Sequence, residues 1–342
     1  ALGDALVSMR AVLEVQRAWP RADIDLVIDR PFAPLLSDLA ATTAGGGHLR
    51  VLSWPPPPGT SWWGMLRAGG YDLVIDWLGS PRTAAWTMLT MAPVRVGYDL
   101  PRRRWAYNVK VPRNRSGDVS LRGFAGEAFL DPLRALGVEP PPWRDGFASG
   151  GDPVKEATAA SAEFDAWLAG WLGRPGPPVV MMLSATWSAK AWPDDHAAAL
   201  YERLGSAGFN PLVATGPADD RIEEALRGRL PAEAFAPPTT LPELARVVGA
   251  AAAFVGTDCG PRHLAASLGV PTVTLFGPTD PVGWNPATPR HVSVRTGVDC
   301  SPCDLADCPV AGHPCMTGIL PAMVLEAVTR LLGNPLNGKG SS

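Results

Sequence analysis

The chain has 342 residues, a formal net charge of −3, 46% hydrophobic residues and 18% charged residues. That length holds two domains of ordinary size, each able to bury its own core, and the balance of apolar to charged residues excludes a disordered or membrane-spanning chain. The small negative charge gives no reason to expect nucleic acid as a partner, and no stretch reaches the ~18 uninterrupted apolar residues a membrane helix needs. The first twenty residues lack a basic leader followed by an apolar run and a cleavage site, so a cytoplasmic location is the default expectation. Residues 5–18 carry apolar side chains at helical spacing, and Pro20 stops that helix. Strands are expected at 24–29, 49–54 and 71–79, with helices through 32–39 and 81–91. Strand and helix alternate at the spacing of βαβ units, which predicts a parallel, doubly wound sheet.

Residues 137–178 are rich in Pro, Gly and small side chains around one helix, EFDAWLAGWL, and mark a domain boundary. A second series follows. Strands are expected in 178–185, 210–216, 252–258 and 271–277, with helices from 194, 219, 241 and 261 and a closing helix over 320–332. The division is therefore an N-terminal Rossmann-like domain, 1–155, and a C-terminal one, 156–342, with a cleft between them. The closing helix is a candidate for packing back on the first domain. Because the chain enters a helix at once, an opening strand of the first sheet is expected upstream of Ala1.

Four segments resemble the heptosyltransferase family, in order and at suitable separations: LGDALVSMRAVLEVQRAWPRADIDLVI, YDLVIDWLGSPRTAAWTMLTMAPVRVGYD, LSATWSAKAWPDDHAAAL and VGTDCGPRHLAASLGVPTVTLFGPTDPVGWNP. The last is close to a D-[TS]-G-x-x-H-x-A…G-x-P…F-G-P-T signature, and VRVGYD reads as an arginine-glycine turn. The resemblance implies a GT-B fold of two Rossmann-like domains facing a cleft. It also implies an inverting, metal-independent glycosyltransferase that moves a heptose from a nucleotide-sugar, ADP-heptose, to a lipopolysaccharide core. Donor and acceptor domains would be the second and the first. The same fold with another donor sugar and glycan, or a non-catalytic nucleotide-sugar-binding homologue, are the alternatives; retention of both Asp4 and Lys190 argues against the latter. A nicotinamide dehydrogenase fails because no Gly-x-Gly-x-x-Gly follows a first strand.

Inversion needs a base for the acceptor hydroxyl and an electropositive site for the departing diphosphate. By the resemblance Asp4, in a loop before the first helix, is the base; by its own sequence context it is equally a helix N-cap. Lys190 is the diphosphate clamp, with Ser184 and Thr186 adding hydroxyl donors; the plainer reading is a surface lysine with Trp192 beneath it. Cys259 and Gly260 begin a helix whose amides and dipole favour an anion, and His263 lies one turn further in. Cys259 replaces the family's Thr or Ser, so contact there falls to the backbone. Asp258 would repel a bare diphosphate, and more naturally orients a sugar hydroxyl or the loop. Asp219 and Asp220 are candidates for ribose hydroxyls or for capping the helix after them, and Phe276, Gly277 and Pro278 for shaping the nucleoside pocket.

Arg102, Arg103 and Arg104, with Arg95, Lys110, Arg113 and Arg115 nearby, form the one marked basic concentration. They read as a face for an anionic glycolipid acceptor and the cytoplasmic face of the inner membrane, or simply as a solvated loop. Cys300, Cys303, Cys308 and Cys315, with His313 adjacent, have spacing that suits a structural zinc; a disulfide and free thiols stay open beside it. Transfer itself is expected to need no cofactor, since no Asp-x-Asp stands in a suitable loop.

Overall fold

The computed structural model describes residues 2–41, 47–113, 124–141, 161–183, 185, 187–216 and 219–336. The chain divides into two compact units, Val7–Trp143 and Ala1–Leu6 joined with Arg144–Ser342. The expected boundary between 155 and 156 lies outside the described residues.

Helix α1 (Leu2–Ala18) contributes most of its length to the first unit. Its Val7, Ala11 and Val15, one helical face by their spacing, pack with Phe129, Leu130 and Leu133, and with Ile24 and Ile75. Strand β1 (Ile24–Asp29) pairs in parallel with β2 (Leu49–Trp54), with helix α2 (Ala33–Ala41) between them in sequence. Next come α3 (Trp62–Ala68), β3 (Leu73–Asp76), α4 (Pro81–Leu89), β4 (Val94–Tyr98) and β5 (Val109–Val111), in which β3, β4 and β5 form a second parallel sheet. Two short helices, α5 (Ala125–Ala128) and α6 (Asp131–Arg134), complete the described part. Helix α4 starts where it does because Ser80 and Thr83 form a reciprocal capping box.

The structure departs from the sequence reading in this unit at several elements, beyond the short helices α5 and α6. VRVGY of that segment is strand β4 instead of a turn, and Gly97 is needed in it because the Tyr107 ring occupies the space a Cβ would take. Strand β5 is three residues long, too short to show a period. Helix α3 is hidden among prolines; it is held by a cluster of Trp54, Trp62 and Trp86, whose ring centroids lie 4.6–5.2 Å apart.

The second unit opens, after α7 (Ala162–Leu172), with β6 (Pro178–Met182). Then follow α8 (Asp194–Ser206), β7 (Asn210–Val213), α9 (Asp220–Arg227), α10 (Leu241–Gly249), β8 (Ala253–Thr257), α11 (Gly260–Ser267), β9 (Thr272–Leu275), α12 (Pro281–Trp284), β10 (His291–Val294), α13 (Pro314–Thr317) and α14 (Pro321–Leu332). Its five parallel strands run β10-β9-β8-β6-β7. All residues of β7, β8 and β9 are buried, as expected of a parallel sheet covered on both faces. The closing helix α14 places Val324, Ala327 and Val328 in the core of this same unit, against residues of β6 and α8. Strand β10, with alternation over only four residues, is a further element the sequence reading missed.

Strand order fixes where a ligand can sit. The chain leaves β6 for β7 on one side, then returns to β8 on the other. The loops after β6 and β8 therefore diverge, and a crevice opens at their carboxyl ends.

Candidate active site

Those two loops meet in a network of charges. After β6, a 3-10 turn over Ser188–Lys190 carries Lys190. Its Nζ donates to the Asp258 carboxylate at 2.9 Å and to the Asp258 carbonyl at 3.0 Å. The ammonium also lies 4.5 Å from the centroid of Trp187, an arrangement that strengthens when water is excluded. Trp187, not Trp192, is thus the ring beneath Lys190. Trp192 is buried in the core, and its indole N–H donates to the Ile319 carbonyl at 2.9 Å.

After β8, Asp258 is buried and accepts from three directions: Lys190, Arg262 Nη2 at 3.1 Å and the Thr279 hydroxyl at 2.9 Å. Burial alone would push its carboxyl up, but the Arg262 and Lys190 charges outweigh burial and hold it well below the usual carboxylate range. Asp258 therefore gathers cations at the crevice instead of facing a diphosphate unscreened.

Cys259 takes the extended backbone of an N-cap, and Gly260 begins α11 with Pro261 in its first turn. Burial pushes the Cys259 thiol up to about 11, with the Arg262 amide pulling the other way. It is a neutral thiol at physiological pH and no thiolate nucleophile. His263 is buried on α11, its ring edge-on to Trp284 at 6.0 Å between centroids, with Nε2 2.9 Å from Arg262 Nη2. Burial, and next the Arg262 charge, push His263 well below the ordinary imidazole value, while Asp258 pulls the other way.

The start of α1 belongs to the same unit. A Cβ added to Gly3 would meet the His263 ring at 2.9 Å, and one added to Gly260 would meet Leu2 at 3.1 Å. The two helix starts are thus in close approach. Asp4 stands in the first turn of α1, neither in a preceding loop nor at the N-cap, because the helix already includes Leu2 and Gly3. A carboxylate there is favoured by the helix dipole.

The other expected donor residues follow strands of the same sheet. Asp219 is buried at the N-cap position of α9, yet its Oδ2 accepts from the Gly216 amide at 2.7 Å and not from the helix. Asp220 is exposed at the first helical position. Phe276 is buried and pairs its amide with the Val294 carbonyl, while Gly277 packs against Met316 and Cys315. The Pro278 carbonyl accepts from the Cys303 and Asp304 amides at 2.9 and 2.8 Å. Ser184 and Thr186 lie outside the described residues.

The cysteine segment acts on this site through its backbone and polar side chains. The Ala306 carbonyl accepts from the Ala189 amide at 2.9 Å, Ser188 Oγ donates to Asp307 at 2.5 Å, and His313 Nε2 donates to the Ala189 carbonyl at 2.8 Å. The segment is a clasp on the turn that carries Lys190. Cys300, Cys303, Cys308 and Cys315 are all free thiols, ranging from exposed to buried. Among the described residues no three or more of His, Cys, Asp and Glu are grouped to hold a metal ion.

In the first unit, Arg104 makes a two-point pair with Asp99 at 2.8 and 3.0 Å, whereas Arg102 is exposed at φ 66° and Arg103 is half-buried. Trp105 is 57% exposed, its indole N–H donating to the Arg102 carbonyl. Arg95 donates to the Ala92 and Ala106 carbonyls and so braces the loop; Arg115 lies outside the described residues. Arg262, Trp187 and Trp284 are residues of this network that sequence reasoning missed, and Thr279, read with residues 276–280 as shaping a nucleoside pocket, is instead bonded to Asp258. The one available signal was the spacing of Asp258 and Arg262, four apart at a helix start.

A family model for glycosyltransferase family 9 (heptosyltransferase) matches residues 60–313. The chain is 39% identical over 135 residues to lipopolysaccharide heptosyltransferase 1 of Pseudomonas aeruginosa, covering 38% of this chain and 37% of that protein. It is 25% identical to lipopolysaccharide heptosyltransferase 3 of Escherichia coli over 98% of each chain. Among solved structures, the Escherichia coli heptosyltransferase WaaC with ADP-2-deoxy-2-fluoro heptose aligns with a TM-score of 0.64 and 23% identity over 96% of both chains. The α/β architecture is of the GT-B type, and the chain belongs to glycosyltransferase family 9, the heptosyltransferases.

Proposed function

We propose that this chain is an inverting, metal-independent transferase that moves a heptose from ADP-heptose to an anionic lipopolysaccharide-core acceptor. The observation that carries the reading is the meeting of Lys190 and Arg262 on Asp258 at the carboxyl ends of β6 and β8, beside the α11 start. A diphosphate arriving there takes the Lys190 ammonium as a charge-assisted donor, in exchange for part of its bond to Asp258. The α11 amides meet the other phosphate oxygens, with Ser184 and Thr186 as further donors. Because Lys190 and Arg262 supply positive charge, neutralisation of the leaving group is assigned to the protein itself. The choice of donor is supported by the ADP-2-deoxy-2-fluoro heptose with which the similar WaaC was solved.

Asp4 is assigned as the base. Its carboxylate takes the acceptor hydroxyl's proton as that oxygen bonds to the anomeric carbon, and the bond from that carbon to the diphosphate breaks on the opposite face. Asp219 and Asp220 are assigned to the ribose side, and Arg102 and Arg103 with Trp105 to the acceptor and the cytoplasmic face of the inner membrane. Asp4→Asn is expected to abolish ADP release in the presence of acceptor while ADP binding, followed by calorimetry, stays within a few-fold. Unchanged turnover would remove Asp4 from the mechanism. ADP binding without turnover in the wild-type chain, across a panel of acceptors, would instead favour the non-catalytic binding homologue.

A further inference from the structure

Arg262 is the least expected residue of the site. It is fully buried, and the two hydrogens on Nη2 face three acceptors: the Trp284 carbonyl at 2.7 Å, His263 Nε2 at 2.9 Å and Asp258 Oδ1 at 3.1 Å. Its Nε and Nη1 are buried with no hydrogen-bond partner. A buried cation held this loosely is costly, so its retention calls for a consequence.

Two consequences follow from the geometry. A guanidinium only donates, so the nitrogen 2.9 Å from it must accept, and the His263 proton must sit on Nδ1. Protonating Nε2 would set two donors against each other, with Asp258 Oδ1 3.9 Å away. The charges acting on His263 are Arg262 and Asp258 on its own side of the crevice and Lys190 from the 3-10 turn, while the α1 start, with Asp4 in its first turn, approaches the ring at Gly3. The second consequence is a charge count. Within the network of Asp258, Lys190 and Arg262, Asp258 and Lys190 cancel, and Arg262 leaves these three groups at net +1 while His263 stays neutral.

We propose that Arg262 is a positioning residue that locks His263 as the neutral Nδ1–H tautomer accepting through Nε2, and that it supplies the positive charge the Lys190–Asp258 pair lacks. The role toward diphosphate rests on the function proposed above; the tautomer does not. His263 then orients the site through its Nδ1–H and ring edge and is not a cationic phosphate contact.

The test is imidazole 15N–1H correlation NMR on the ligand-free protein from pH 5 to 8, with the five histidines resolved and His263 assigned by His263→Gln. The wild-type His263 is expected to show a bare Nε2 and no titration across that range. In Arg262→Met it should regain a titration moving toward the ordinary value of about 6.5, and ADP affinity should fall about tenfold through loss of one nearby charge. Arg262→Lys should restore part of the affinity. A protonated Nε2 or a mid-range titration in the wild type overturns the proposal, as does an unchanged His263 in Arg262→Met. If that variant does not fold, the wild-type spectrum alone decides. If ADP fails to bind the wild type at all, the donor assignment falls while the tautomer result stands.

Discussion

The crevice after β6 and β8 and the basic loop over residues 102–105 are both rich in arginine and lysine, yet they use charge in opposite ways. At the crevice, Asp258, Arg262, Lys190 and His263 are buried or nearly so and share one set of bonds. At the loop, Arg104 is 61% exposed and paired with Asp99, and Arg102 projects from a left-handed backbone. Buried charges interact in a low effective dielectric and cannot lose a partner cheaply, whereas exposed charges are screened by water and salt. The crevice is therefore a fixed electrostatic device. Any effect of the loop's exposed charges on a ligand would depend on ionic strength.

The contrast between the two regions is widest at Asp258. Asp258→Ala leaves Arg262 buried without its anion and should destabilise the chain by about 3–5 kcal/mol, the usual cost of breaking a buried pair; chemical denaturation reads this directly. Asp99→Ala, the equivalent cut in the loop, should leave the melting temperature unchanged. Lys190→Ala should weaken ADP binding by about 1.5–3 kcal/mol, the range for a charge-assisted contact, measured by calorimetry.

Acid sharpens the same contrast. His263 is held well below its ordinary value in the fold, so the unfolded chain binds a proton that the folded chain refuses. Stability should accordingly fall as pH drops below about 6.5, with a slope of up to ~1.4 kcal/mol per pH unit from this one group. Asp258, depressed in the fold, adds stability that persists above its unfolded value near 3.9 and is lost only at stronger acidity. Melting temperatures at pH 7 and pH 5 would test the His263 share, which should vanish in His263→Gln. The smallest effect is at the loop. Arg102→Ala with Arg103→Ala should leave ADP binding untouched and reduce retention on anionic vesicles at low salt only.

Much of the fold is legible because its strands and helices alternate. IDLVID and LRVLSW stand as strands with the bounds the pattern gives, and β6, β8 and β9 follow from apolar runs closed by Gly, Asp or Pro. Strands β4, β5 and β10 escape notice because three to five residues are too few for a pattern to stand out, and their pairing supplies what the pattern lacks. At the site, motif spacing points to Lys190, Asp258 and His263, and strand order at the switch point explains why they meet. For Arg262 the four-residue spacing from Asp258 was too slight a signal: an arginine inside a short helix reads as solvent-facing until the fold buries it. The clasp of Ala306, Asp307 and His313 on the Lys190 turn is equally silent in sequence, since it joins segments more than a hundred residues apart.

The most direct test of the crevice as a diphosphate site is a calorimetric comparison of ADP with adenosine, in the wild-type chain and in Lys190→Ala. ADP is expected to bind the wild type at least tenfold more tightly than adenosine, and Lys190→Ala to remove most of that difference while leaving adenosine affinity alone. Equal affinity for the two ligands in the wild type, or an ADP preference that survives the substitution, would contradict a diphosphate site built on Lys190.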